Sequence, residues 1–599
     1  MIGIGIGLGR GIVNQLPFRF TVNTNNTSAG SSTSTQFKLP LVSSGTINAI
    51  VDWGDGTSST ITTWNQAEVT HTYATAGVYD IKITGVLRGW LFNNTGDRLK
   101  ILNIISWGCL DISVDLGFEG CTNLTATATD APLITITSLN SYFKNCPNFN
   151  GAIGNWDVSN VIFFEQTFLG ASSFNQNIGS WNTSKATRMN QMFNGATAFN
   201  QNIGAWNVSN VTTFSSMFSG ATAFNNGGSA DINNWTIRTA SAVSMFSMFR
   251  SCAFNQNISS WNTSAVTNME SMFSLNGAFN QPIGSWNTSA VTTMASMFQS
   301  ATAFNQNIGA WNVSNVTTFS SMFNGATAFN QNIGAWNVSN VTSFSSMFSN
   351  ATAFNNGGSD DIDNWTFSTT SNIDMSSMFS GTTTTLSSKF NRYIGSWDTQ
   401  RVTNMSGMFA FNTAFNQNIG AWNTSAVTNM ASMFQNCYVF NQNIGSWNTS
   451  NVTNMNNMFS SNASNIFNFN ISGWDVSKVN NMGGMFRACS FFNQPIGSWN
   501  TTSVTSMSNM FENARDFNQD IGSWNVSNVT NFTSFMVFKT AANYSAANLD
   551  SIYNGWSSRP VKPNLSINFG SIKYTAAGQA GKDILDFAPN NWTIVDGGI

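Results

Sequence analysis

Charge is what this sequence has least of. Only 8% of its 599 residues are Asp, Glu, Lys or Arg, 23 basic against 26 acidic, for a net charge of −3. Without a basic stripe to neutralise phosphates, nucleic acid is excluded as a partner. A chain this uncharged raises the question of membrane insertion, but no run of about 18 apolar residues is present to cross a bilayer. Histidine occurs once, at His71, which removes Ser/His/Asp and Cys/His catalysis from the greater part of the chain. The six cysteines, at 109, 121, 146, 252, 437 and 489, have no CxxC spacing, so they do not read as a zinc site. Four of them, Cys146, Cys252, Cys437 and Cys489, follow a Phe at a place where other segments carry Ala, and are expected as small, buried, unbridged core residues. With 26 carboxylates in 599 residues, a facing pair of the kind a glycosidase needs is not expected either. The Gly-x-Gly runs of residues 3–9 lack the strand–turn–helix setting of a phosphate loop. The expectation is a chain that is not an enzyme and has no cofactor and no metal.

What is present is repetition. Fifteen tryptophans, from Trp156 through Trp206, Trp311 and Trp336 to Trp524, fall mostly 25 residues apart, with exceptions of 26, 27, 29 and 32. A fixed period of this size marks a solenoid. In the coil containing Trp206, the apolar residues are Phe199, Ile203, Trp206, Val208, Val211, Phe214, Met217 and Phe218. Positions 211, 214, 217 and 218 are spaced as one face of a helix. Ser209 is a candidate N-cap and Gly220 a candidate C-cap. The expected coil is a short strand over 200–206, a turn, a short helix and a turn. One coil cannot offset its own ordering entropy, so its core (Phe199, Ile203, Trp206, Met217, Phe218 and the matching Trp311 and Trp336) must be completed by neighbours. The Asn after each Phe (Asn175, Asn200, Asn255, Asn305, Asn330) is expected to form a buried ladder, its amide bonded to the backbone of the adjoining coil.

The unit Phe-Asn-Gln-x-Ile-x-x-Trp-Asn-x-Ser-x-Val-Thr-x-Met-x-x-Met-Phe resembles the repeat of the BspA-type, leucine-rich-repeat-like surface proteins. The resemblance implies a leucine-rich-repeat-like α/β solenoid and a role in adhesion or surface display. Ahead of it, Trp53-Gly54-Asp55-Gly56-Thr57, His71-Thr72-Tyr73 and Ala76-Gly77-Val78-Tyr79 resemble the polycystic-kidney-disease (PKD) domain. That implies an immunoglobulin-like β-sandwich serving as a spacer or binding module. Asp52 and Asp55 are expected to tie its turn together, with a cation between them as the alternative, and His71 to make a structural hydrogen bond.

The expected order is therefore a Gly/Ile-rich docking segment (1–12), the PKD-like sandwich (13–85), a cap of irregular coils (86–150), about fifteen regular coils (151–540) and a C-terminal cap (541–599). In that cap Leu549, Ile552, Tyr553 and Trp556 keep helical spacing, and Trp592 to Gly598 reads as a last strand and turn. Two Asn-Gly-Gly-Ser inserts, at Asn226 and Asn356, lie 130 residues apart and suggest a duplicated five-coil block. The second carries Asp360, Asp361 and Asp363, a possible calcium loop or a solvated one.

In the first eight residues Ile2, Ile4, Ile6 and Leu8 alternate with Gly. An extended backbone there presents one apolar edge, suited to strand addition on another subunit. No basic residue precedes this run, so it does not read as a secretory signal. Particles assembled in a cytoplasm need none. The expectation is a phage virion surface protein, a fibre or decoration subunit. It would join other virion proteins through its N-terminal region, form homo-oligomers on the particle, and meet a host glycan or protein without inserting in a membrane. A cellular surface adhesin of the BspA type, extracellular or on the cell surface, and a glycan-active enzyme are the alternatives.

Overall fold

The computed structural model describes residues 16–599. The chain divides into two compact units, Met1–Pro282 and Ile283–Ile599, and the division falls within the repeat array. The chain is a mostly-β solenoid of stacked coils with few helices.

The first unit begins with a sheet. Its strands are β1 (Phe18–Asn23), β3 (Ile47–Asp52), β4 (Ser58–Ile61), β6 (Val78–Arg88), β7 (Ile101–Ser106), β8 (Leu110–Ile112), β9 (Thr125–Ala126) and β10 (Leu133–Ile134); β2 (Gln36–Lys38) and β5 (Thr70–Thr72) form a separate pair. Strand β1 alternates in burial, with Phe18, Phe20 and Val22 inward, as the period of two in a pleated strand requires. It pairs antiparallel with both β6 and β7, so the sheet draws strands from both sides of residue 85. At its margins the pairing turns parallel, β8 on β6, β10 on β8 and β9 on β7. Asn103 faces Thr125 and Asp111 faces Leu133, and this is where coiling starts. A fully buried Lys100–Asp97 pair, 3.4 Å apart, holds the preceding loop. The Lys100 ammonium donates to Ser32 O, Thr33 O and Gln36 O, while the carboxylate accepts from Ser32 N and Lys38 N.

From there each coil adds one rung: Ser138, Phe163, Arg188, Thr213 and Ser244 bridge in parallel in the first unit. The strand expected over 200–206 and the helix expected over 211–218 do not form. The rung is at Thr213, and 215–220 is a chain of tight turns. The reason is backbone handedness. Ser216 has φ 55° and Gly220 φ 71°, and an α-helix accepts no left-handed residue in its interior. The amides then divide into two sets. Phe214, Ser216, Phe218 and Gly220 donate to Ser244, Phe246, Met248 and Arg250 of the next coil, while Met217, Ser219 and Ala221 donate three residues back within their own. The same alternation holds in the second unit, where Phe319, Ser321, Phe323 and Gly325 donate to Ser343, Ser345, Met347 and Ser349. Turns closed every three residues bring positions 211, 214 and 217 to one side, as helical spacing would. Ser209 does not cap a helix; its N–H donates to Asn207 Oδ1.

Inside the coils the aromatic side chains run in columns. Phe193 and Phe218 stack at 5.6 Å, and Trp181 and Trp206 at 6.4 Å. Phe199, Ile203, Met217 and Phe218 are fully buried, and Trp206, Trp311 and Trp336 nearly so. Each indole also donates to the preceding coil: Trp206 Nε1 to Ile178 O at 3.0 Å, Trp311 Nε1 to Ile283 O at 3.0 Å, Trp336 Nε1 to Ile308 O at 3.2 Å. Trp156, at the head of the column, has no such partner for its buried Nε1.

The second unit closes with the two α-helices found among the described residues, α1 (Ala546–Ser557) and α2 (Ala576–Asp586). Leu549, Ile552, Tyr553 and Trp556 form the buried face of α1, and Ser545 caps it. Gly581 lets the helices touch, since a Cβ there would lie 2.5 Å from the Tyr553 carbonyl carbon. The last parallel pair joins Ser566–Asn568 to Thr593–Val595.

Replacing Trp311 with Ala removes a buried indole and its bond to Ile283 O, and the expected loss is about 3–5 kcal/mol. Chemical denaturation followed by tryptophan fluorescence measures it. A loss below about 1 kcal/mol, the size usual for surface substitutions, would contradict the core position.

Candidate functional site

Ile2, Ile4, Ile6 and Leu8 lie outside the described residues. The repeat-core residues Phe199, Ile203, Trp206, Met217, Phe218, Trp311 and Trp336 are interior, so any contact made by the array is made by what they push outward.

The outward residues form columns. The Asn after each Phe makes its ladder at the surface, partly to well exposed, and not in the core. It is the side-chain oxygen that bonds: Asn200 N donates to Asn175 Oδ1 at 2.9 Å, and Asn225 N to Asn200 Oδ1 at 2.8 Å. Gln201 Nε2 reaches the same Asn175 oxygen at 2.8 Å. Asn330 and Gln331 repeat this on Asn305 in the second unit. Burial is unnecessary because each oxygen is saturated by the next coil. A second column, which the sequence reading missed, consists of threonines. Thr212 Oγ1 donates to Thr187 O, and Thr453 Oγ1 to Thr428 O, both at 3.1 Å. Its signal was the recurring Val-Thr just before the Met or Phe.

The two inserts have the same construction. Asn226 and Asn356 are buried and left-handed, with φ 52° and 50°. Their Oδ1 atoms accept from Ile203 N and Ile333 N, each at 2.9 Å. Asp231 and Asp361 accept from Asn202 and Asn332. Each insert borders a polar hollow of similar size, about 300 Å³ beside Asn177, Gln201 and Asp231 and about 320 Å³ beside Asn307, Gln331 and Asp361.

The carboxylates singled out as cation ligands have protein partners. Asp52 Oδ1 accepts from Gly54 N. Asp55 accepts from Thr57 N, Thr57 Oγ1 and, at 2.8 Å, is bonded to His71 Nε2. Burial by itself would raise the Asp55 acid, but the bonds from Thr57 and His71 hold it at about 2. His71 stacks on Trp53 at 4.7 Å. In the second insert Asp360 accepts from Tyr393 N, Asp361 from Asn332 Nδ2 and Asp363 from Ser396 N, so the three serve three separate neighbours. Among the described residues no group of three or more His, Cys, Asp or Glu is arranged to hold a metal. EDTA is expected to leave the melting temperature unchanged, and a fall of many degrees in a thermal scan would show that a bound cation supports the fold.

All six cysteines are free and buried, and burial raises the Cys252 thiol to about 12. The column of Cys146, Cys252, Cys437 and Cys489 also has polar members. Asn276 and Asn412 stand at the Ala/Cys position and donate to Phe254 O and Phe390 O of the preceding coil. Lys539, 1% exposed, occupies the same place and donates to Phe517 O at 2.6 Å and Arg515 O at 2.8 Å. Burial pulls its ammonium down to about 7, with Asp516 opposing. Below that value both folded and unfolded chains carry the proton. From about pH 7 to 10 the unfolded chain binds more protons, so stability rises with pH through this window. The slope reaches at most about 1.4 kcal/mol per pH unit. Lys539→Met is expected to remove this rise, read by urea denaturation at pH 7, 8, 9 and 10; an unchanged slope would assign it to another group.

Comparison with curated proteins gives no match, and comparison with solved structures gives none. One family model matches repeatedly, over 113–235, 226–326, 279–388, 358–466 and 462–551. These spans follow the stacked coils from the rungs after β8 into α1. The chain belongs to the family described as Mycoplasma protein of unknown function, DUF285.

Proposed function

We propose that this chain is a non-catalytic surface protein of a phage virion, a fibre or decoration subunit that displays its coils to a host surface. The observation that supports it best is the outer face of the array. Asn, Gln and Thr side chains recur there once per coil, with little charge. A face of this kind makes weak, polar, repeated contacts, which gain strength when coils and copies engage together. In this reading the N-terminal region joins other virion proteins and the copies form a homo-oligomer. The sheet before the array acts as a PKD-like spacer, its Trp53–Thr57 turn tied by Asp52, Asp55 and His71.

A cellular surface adhesin is the second reading, favoured by the family's description as a Mycoplasma protein. Quantitative mass spectrometry of purified particles and of washed cell envelopes separates the two. The expected result is stoichiometric recovery in particles. Recovery in envelopes alone would replace the virion reading with the adhesin.

A further inference from the structure

In each coil of the array, two residues stand between the rung side and the Met or Phe that starts the next turn. They are Ser320–Ser321, Ser345–Ser346, Asn456–Asn457 and Ser508–Asn509 in four coils, while others carry larger or apolar residues there, such as Glu165–Gln166, Phe246–Ser247 and Ala295–Ser296. At one place both residues are glycine: Gly483–Gly484. A hollow of about 490 Å³ on the second unit has these glycines in its lining. Asn456 and Asn457 form one wall and Ser508 and Asn509 the other.

The first wall is hydrogen-bonded. Asn456 Nδ2 donates to Gly483 O at 2.8 Å, and Asn457 Nδ2 to Asn456 Oδ1 at 2.9 Å. On the rim is an ion pair in an array with little charge. Arg487 Nε donates to Glu512 Oε2 at 3.1 Å, and Asn509 Nδ2 donates to the same oxygen at 2.7 Å. Arg487 Nη1 lies 3.4 Å from Asn462 Oδ1. These bonds leave the second Glu512 oxygen and the remaining guanidinium nitrogen for a ligand. The chemistry narrows the occupant. A carboxylate or phosphate meets Glu512, an ammonium meets Arg487, and an apolar side chain finds no anchor among amides and hydroxyls. A neutral molecule with adjacent hydroxyls satisfies all of them, since each hydroxyl both donates to a carboxylate or amide oxygen and accepts from an amide or guanidinium N–H. Asn456 Nδ2 and Asn457 Oδ1 lie over the two glycines, where Cβ atoms would stand, so the floor offers side-chain amides to a ligand.

We propose that the Gly483–Gly484 notch is a binding site for a neutral sugar unit of a surface polysaccharide. This rests on the surface-display reading and gives it a ligand class and an address. The test uses the full chain on a microarray of neutral hexose and N-acetylhexosamine oligosaccharides, followed by titration calorimetry with any oligosaccharide retained. Gly483→Ser/Gly484→Ser introduces the Ser–Ser pair found at 320–321 and 345–346. Ser321 and Ser346 adopt the left-handed turn at the equivalent position with φ 56°, and the new Cβ at 484 displaces only the amide end of Asn457, so the variant is expected to fold, as circular dichroism checks. Expected are binding by the wild type, loss in the double variant, and a weakening of about tenfold or more in Glu512→Gln, where a charged hydrogen bond becomes neutral. Absence of neutral saccharide binding by the wild type, or equal binding by the double variant, overturns the notch. If the double variant still adheres to host cells as the wild type does, the notch falls while the display reading stands. If the notch binds sugar but the chain is missing from particles, the site stands and the virion reading falls.

Discussion

Everything in this molecule depends on where the amides of one short turn send their hydrogen bonds. Two left-handed residues, four apart, rotate every second N–H of 214–220 toward the next coil. A helix would have satisfied those donors locally and left neighbouring coils to meet only through side chains. Here a coil without a neighbour keeps a row of unpaired amides, and buried unpaired amides are costly. Stacking is therefore a requirement of the backbone before it is a preference of the core. The indoles after Trp156 add the reverse link by donating to the coil behind, so adjacent coils are tied in both directions.

Much of this was legible. The tryptophan beat, the buried Phe and Met columns, the unbridged cysteines and the helical face of Leu549, Ile552, Tyr553 and Trp556 all follow from spacing and residue type. The helix over 211–218 was misread because a spacing of three serves tight turns as well as helices. The distinguishing signal was at Ser216, a position that other coils fill with Asn457, Asn509, Gly407 or Gly484. Asn and Gly tolerate positive φ and weaken helices, so the set points to a left-handed residue. The Asn ladder was read correctly as a ladder but wrongly as buried, because a saturated amide oxygen looks the same from sequence at either depth. Lys539 and the glycine pair at Gly483–Gly484 were legible only as departures from columns, and a column must be assigned before its exceptions stand out.

The division of labour inside a coil also bears on function. Apolar residues and turn handedness hold the stack, and neither constrains the columns that face outward. The rung and wall positions vary widely, from Ser, Thr and Asn to Gly407, Arg188, Phe163 and Ala295, while the turn stays the same. An outward residue can therefore be changed at one coil at little cost to the rest of the stack.

The two inserts carry a consequence of another kind. Asn226 and Asn356, with their matching φ values, oxygen acceptors and hollows, show the same irregular coil built twice, 130 residues apart. An irregular coil can be copied intact because each junction presents the same donors and acceptors on either side, so any excised block that begins and ends at the same point of the beat finds matching partners. Such a gene can change length by unequal recombination between its own repeats, and every in-register product leaves both ends of the protein untouched. The number of coils is then a heritable variable that can be reset in a single event.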